Sequence, residues 1–189
     1  LAAGESKNPI LKKIRLDKKK GILFWITGLS GSGKTTLAKL VKKKITKLYG
    51  PTTLFSGDDL RKIFKLNKYD KKSRLNNGLK FSNFCKKITN QKINVIFAVV
   101  GMLDKVRAHN KKNIKNYIEI YLKSDLKKII KKKEKKIYYT EKKNIVGIDI
   151  KPELPKNPNI TVINNFSNDL KFISDKLVIK LSKKIALKW

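Results

Sequence analysis

From Gly21 onward, short apolar runs alternate with longer stretches whose apolar residues recur every third or fourth position. The runs lie at residues 22–27, 52–55, 93–100, 117–122 and 160–163, and their length and content of Val, Ile, Phe and Tyr predict strands. Residues 93–100 are continuously apolar, as in a central strand covered on both faces. Residues 117–122 alternate instead. Between the runs, Leu37, Leu40, Val41, Ile45 and Leu48 mark one face of a helix that Gly50-Pro51 stops. Phe81, Phe84, Cys85 and Ile88 form the apolar stripe of a helix over 73–91, with Arg74 and Asn77 three apart on one face. Helical patterns also cover 104–116 and 124–133, and a last one begins near Ser167 with Leu170, Ile173, Leu177, Leu181 and Ile185 on one side. Strand and helix in alternation predict an α/β fold with a doubly wound, parallel, five-stranded sheet.

The chain has 189 residues, 40% of them hydrophobic, which suits one domain with a sizeable core. We place that domain at residues 21–189, with residues 1–20 as a flexible N-terminal extension outside the site. The formal charge of +33 ordinarily points to a polyanion. Here it is discounted: of 47 basic residues only Arg15, Arg61, Arg74 and Arg107 are arginine, whereas phosphate-backbone recognition favours the guanidinium fork. A Lys-, Ile- and Asn-rich chain reflects A/T-rich codons, and a nucleic-acid partner is not expected. Cys85 is the single cysteine, so no intrachain disulfide or cysteine metal cluster forms, and a reducing cytoplasmic setting is expected. No apolar run approaches the length of a membrane span, and no membrane partner is expected.

The chemistry concentrates in Gly28-Leu29-Ser30-Gly31-Ser32-Gly33-Lys34-Thr35, a complete G-x-x-x-x-G-K-[ST] motif between a predicted strand and a predicted helix. Glycines 28, 31 and 33 allow the backbone to turn its N–H groups onto a phosphate, at the positive end of the following helix. The predicted ATP contacts are Gly28, Ser30, Gly31, Ser32, Gly33, Lys34, Thr35 and Thr36. Lys34 reaches the β- and γ-phosphates, and the Thr35 hydroxyl holds Mg²⁺.

Ligands in open α/β sheets bind beyond the carboxyl ends of the strands, which places Asp58 and Arg61 near this loop. Asp58 also fits as the N-cap of the next helix. No acid follows the strand over 93–100, so Mg²⁺ is left to Thr35 and water, with Asp58 as a further ligand. His109, the only histidine, reads as a surface residue of its helix. Residues 131–158 are lysine-rich and then punctuated by proline, as in a lid or a flexible surface loop.

Taken together, these residues resemble the adenylylsulfate kinases over about 21–166. The phosphate loop is similar to theirs, Ser56-Gly57-Asp58-Asp59-Leu60-Arg61 resembles their D-G-D-N-x-R, Arg74 and Asn77 match an R-x-x-N, and Asn144-Ile145-Val146-Gly147-Ile148-Asp149 resembles an N-F-T-G-I-D lid motif. The resemblance implies a P-loop nucleotide-kinase fold. It also implies transfer of the ATP γ-phosphoryl group to the ribose 3′-hydroxyl of adenylylsulfate, as in sulfate assimilation. Lys34 and Asp58 would be catalytic, and Asp58, Arg61, Arg74, Asn77 and Ile145 would bind the acceptor.

The departures lie on the acceptor side. Ser56 stands where the family has its first aspartate, Gly101-Met102 replaces an S-P, Lys135-Lys136-Ile137-Tyr138 only echoes K-G-L-Y, and Ile145 replaces an aromatic residue expected to stack on a base. That last change removes about 1 kcal/mol of contact. The segments 69–75 and 113–121 resemble a branch associated with bacterial surface-polysaccharide loci, which includes a cytidine diphosphoramidate kinase, so a cytidine nucleotide is an alternative acceptor. A basic nucleic-acid-binding protein and a degenerate nucleotide-binding module are the other readings. Oligomeric state is not fixed by the sequence, and a homodimer stays open.

Overall fold

The computed structural model describes residues 13–132 and 143–186. Its main sheet is parallel throughout. The strands are β2 (Leu23–Thr27), β3 (Thr52–Ser56), β4 (Asn94–Val99), β5 (Tyr117–Lys123) and β6 (Ile160–Ile163), in the order β3-β4-β2-β5-β6. A small parallel pair, β1 (Ile14–Arg15) with β7 (Ile185–Ala186), lies outside it and was not foreseen. Asn116 ties the segment after β1 to the sheet, accepting from the Asp17 N–H and donating to the Asp17 and Lys20 carbonyls.

The three central strands, β2, β4 and β5, are buried on both faces because their side chains alternate between two helical layers. Phe24, Ile26, Ile96, Ala98, Ile118 and Ile120 pack on one side against α1 (Lys34–Tyr49) and α6 (Leu170–Lys184). Leu23, Trp25, Val95, Phe97 and Tyr117 pack on the other, toward α3 (Lys71–Thr89) and α4 (Asp104–Asn113). The short helices α2 (Gly57–Ile63) and α5 (Leu126–Lys131) follow β3 and β5. In α1 the buried stripe is Leu37, Ala38, Val41 and Ile45, while Leu40, at its edge, and Leu48, in the last turn, are exposed.

Strand order decides where chemistry can occur. β2 sits centrally between β4 and β5, so the loop leaving β2 opens at the point where successive connections turn to opposite sides of the sheet. That crevice is where α/β folds bind ligands.

Candidate active site

The loop from Gly28 to Gly33 joins β2 to α1. Gly31 and Gly33 have φ of 75° and 92°, while at Gly28 a Cβ would lie 2.5 Å from the Leu122 carbonyl oxygen. Close approach, then, is the constraint at Gly28. No side chain caps α1 and no acid lies in its first turn, so its positive end faces the loop unopposed. Ser32 is buried and its hydroxyl has no hydrogen-bond partner among the described residues, a buried donor of the kind an anion satisfies. Lys34 is also buried, its Nζ donating to the Leu29 carbonyl at 2.6 Å. From beyond β6, Asn164 supports the loop by donating to the Ser32 carbonyl at 3.0 Å.

Ser30, Gly31, Gly33, Lys34, Thr35 and Thr36 share one cleft with Asp58. The helix start at Asp58 is built differently from the expectation. The N-cap of α2 is Ser56, whose hydroxyl accepts from the Asp59 N–H, while the Asp59 carboxylate accepts from the Ser56 N–H at 2.7 Å. That capping box satisfies the helix end without Asp58. Asp58 is exposed and lines the phosphate cleft as well as the cavity beside it.

This second cavity lies between α2, α3, the end of β4 and a turn over 145–150, and Asp58, Arg61, Arg74 and Ile145 all line it. Arg61 and Arg74 converge on Tyr69, their guanidinium carbons 4.2 and 5.4 Å from its ring centroid. Arg74 also donates to the Tyr69 carbonyl at 2.6 Å and to the Asn144 carbonyl at 2.8 Å, fastening the lid motif to α3. Burial and the neighbouring Arg61 press the Arg74 pKa below its ordinary value. Paired cations partly screened from water favour an anion between them. Asn77, one turn beyond Arg74, is buried but is not among the residues lining the cavity. Ile145 is 5% exposed, its carbonyl accepting from the N–H groups of Ile148, Asp149 and Ile150 and its N–H donating to the Asp149 carboxylate.

Residues 143–158 of the expected lid are anchored. Glu153 accepts from the Asp104 N–H at the start of α4 and pairs with Lys71 at 3.1 Å, contacts that hold its carboxyl below the usual range. Residues 133–142, with Lys135-Lys136-Ile137-Tyr138, lie outside the described residues.

Arg107 was not foreseen as a site-building residue. It is 3% exposed, donates to the Gly101 and Glu153 carbonyls at 3.2 and 2.6 Å, pairs with Asp104, and meets the buried Glu119 carboxylate at 3.3 Å. It therefore binds the cavity wall and the strap after the lid motif to β5. The signal available in the sequence was its rarity as an arginine. Tyr69 and Asn164 carry no comparable signal. Elsewhere, His109 is half-buried beside Asn113. Burial pushes the Cys85 thiol up to about 12, as for a core side chain.

A phosphate-binding loop after a central parallel strand, facing a carboxylate and an arginine-lined cavity, defines a P-loop kinase. The family model for adenylylsulphate kinase matches residues 20–163, and the chain belongs to that family. It is 33% identical over 169 residues to the cytidine diphosphoramidate kinase of Campylobacter jejuni, covering 86% of this chain and 99% of that one. It is also 33% identical over 153 residues to the adenylyl-sulfate kinase of Clostridium acetobutylicum, covering 77% and 76%. The fold is shared with the Mycobacterium tuberculosis APS kinase solved in complex with AMPPNP and APS, at a TM-score of 0.77 and 24% identity over 86% of this chain and 98% of that one. The chain is thus a nucleotide-binding phosphotransferase, and no helix among its described residues is long and apolar enough to cross a membrane.

Proposed function

We propose that this chain transfers the γ-phosphoryl group of ATP to the ribose 3′-hydroxyl of a nucleotide bearing an anionic, substituted phosphate chain. We infer further that a cytidine diphosphoramidate-like nucleotide is preferred to adenylylsulfate. The carrying observation is the placement of Asp58 on the wall between the phosphate cleft and the arginine-lined cavity. Donor and acceptor sites on either side of one carboxylate are the arrangement that in-line transfer needs.

In this reading the loop N–H groups and Lys34 hold the ATP phosphates, and Arg61 and Arg74 hold the acceptor's phosphate chain. Asp58 accepts a hydrogen bond from the ribose hydroxyl and takes its proton as the new O–P bond forms and the bond to the leaving ADP oxygen breaks. The Thr35 hydroxyl and the Asp58 carboxylate suit Mg²⁺, which keeps several waters and needs few protein ligands; among the described residues there is no group of three acids, histidines or cysteines that would suit a dedicated cage. When bound, the metal neutralises developing charge on the phosphates.

Two features favour the cytidine acceptor. The cytidine diphosphoramidate kinase is 33% identical over 169 residues, whereas the adenylyl-sulfate kinase of Clostridium acetobutylicum reaches the same identity over 153. Ile145 offers no π-face where the adenylylsulfate kinases carry an aromatic residue, a loss felt more by a purine than by a pyrimidine.

The test is ADP release with ATP and Mg²⁺, offering cytidine diphosphoramidate, adenylylsulfate and a short oligonucleotide in separate reactions. A kcat/KM at least tenfold higher for cytidine diphosphoramidate supports the assignment. A preference for adenylylsulfate reverses the order of acceptors, and turnover with the oligonucleotide alone refutes a small-molecule kinase.

A further inference from the structure

We propose that the indole N–H of Trp25 is a base-reading donor at the floor of the acceptor cavity. Trp25 is fully buried in β2, the strand that leads into the phosphate loop, yet it lines the cavity that Asp58, Arg61 and Arg74 also line. Its Nε1 has no hydrogen-bond partner among the described residues. An indole nitrogen donates and cannot accept, and buried donors in folded proteins are nearly always paired. Gly101, against which Nε1 lies, lines the same cavity, so the partner is assigned there.

The surroundings restrict what that partner can be. The Nε1 edge of the ring lies against Gly101, where a Cβ would sit 3.1 Å from Nε1 and 2.9 Å from Val99 Cγ1. Gly101 also has φ of 44°, so crowding and backbone both demand glycine there, and glycine keeps side-chain atoms away from the N–H. The rest of this end is apolar, with Phe81, Met102, Leu103 and Val106 among the lining residues. A phosphate or sulfate buried there would be uncompensated, whereas a neutral heterocycle fits. The cations stand instead with Asp58, at Arg61 and Arg74. The acceptor nucleotide thus enters base first. A carbonyl oxygen or unprotonated ring nitrogen accepts from Trp25, the ribose comes to Asp58, and the phosphate chain rests on the arginines.

This inference rests on the cavity being the acceptor site, and the experiment separates the two claims. The protein has two tryptophans, so a ¹⁵N-labelled sample gives two indole N–H resonances, assigned with Trp189→Phe. Cytidine diphosphoramidate and adenylylsulfate are titrated separately in the presence of a non-hydrolysable ATP analogue, and the backbone amides of Gly57 and Ile145 report occupancy. The expected result is a downfield shift of the Trp25 indole proton that saturates together with those amides and is absent with the ATP analogue alone. In parallel, Trp25→Phe should raise the acceptor KM about 3- to 10-fold with the ATP KM unchanged, the size of one lost hydrogen bond. If the amides shift while the indole proton does not, the donor role is refuted and the acceptor site stands. If neither responds to either acceptor, both fall.

Discussion

At the scale of single residues, the site uses side chains that the fold has not already spent. Asp58 takes no part in the cap of α2, which Ser56 and Asp59 form between them, and in the proposed reaction it is the base. Asp58→Asn should therefore lower kcat about 100-fold or more, the usual contribution of a positioned base, while the thermal midpoint stays within a degree or so, as expected of an exposed side chain away from structural contacts. A steady-state assay and a melting curve on one preparation check both halves. The arginines show how much of this was legible. In a chain whose default cation is lysine, Arg61 and Arg74 stand in the cavity and Arg107 behind it. Rarity marked all four arginines, Arg15 in β1 included, but only Arg61 and Arg74 fell in a recognisable motif. The place of Asp58 after a strand put it near the loop, where it does line the cleft; that it is not the cap could not be read, because Ser56 and Asp59 form an equally good capping pair and the choice depends on where the helix starts.

Elements are held at the site by two devices, each with a measurable consequence. The hydrogen bonds from Ser56 hold the Asp59 carboxyl below its ordinary value. A depressed carboxyl pKa stabilises the fold above the unfolded-state value, near 3.9, and the contribution is lost as pH falls through the lower folded-state value. Asp59→Ala, which removes the carboxylate that accepts from the Ser56 N–H and hydroxyl, should thus cost about 1 kcal/mol at pH 7 in urea titrations, and the gap between variant and parent should narrow below about pH 3; a gap independent of pH would contradict the role given to Asp59. The second device is the buried pair of Arg107 and Glu119, joining α4, the strap and β5. Arg107→Met leaves a buried carboxylate with Lys111 alone and should destabilise by about 3 kcal/mol. Replacing Glu119 with Leu as well should recover part of that loss, as a double-mutant cycle would measure. Neither device follows from hydrophobic periodicity: one hangs on a helix boundary, the other on a contact between distant elements.

For the molecule as a whole, the alternation of apolar runs and helical stripes revealed the sheet, its parallel sense and its two covering layers, since those depend on local period and connection length. Strand order was not local information, and neither was the β1–β7 pair, which brings together the two ends of the described chain. The charge of +33 also acts globally. Like charges repel more in the compact state, so raising the salt from near zero to about 0.3 M should raise the thermal midpoint through screening. A falling midpoint in calorimetry would show that attractive ion pairs dominate instead.

The most direct measurement follows the transferred group itself. Protein, ATP, Mg²⁺ and cytidine diphosphoramidate are incubated, and phosphorus NMR observes where the γ-phosphorus goes. Acceptor phosphorylation predicts a new phosphomonoester coupled to the ribose H3′ proton, formed in step with ADP and abolished in Lys34→Ala. Inorganic phosphate formed at the same rate with or without any acceptor nucleotide would contradict it, because ATP would then be hydrolysed and not used to phosphorylate a second nucleotide.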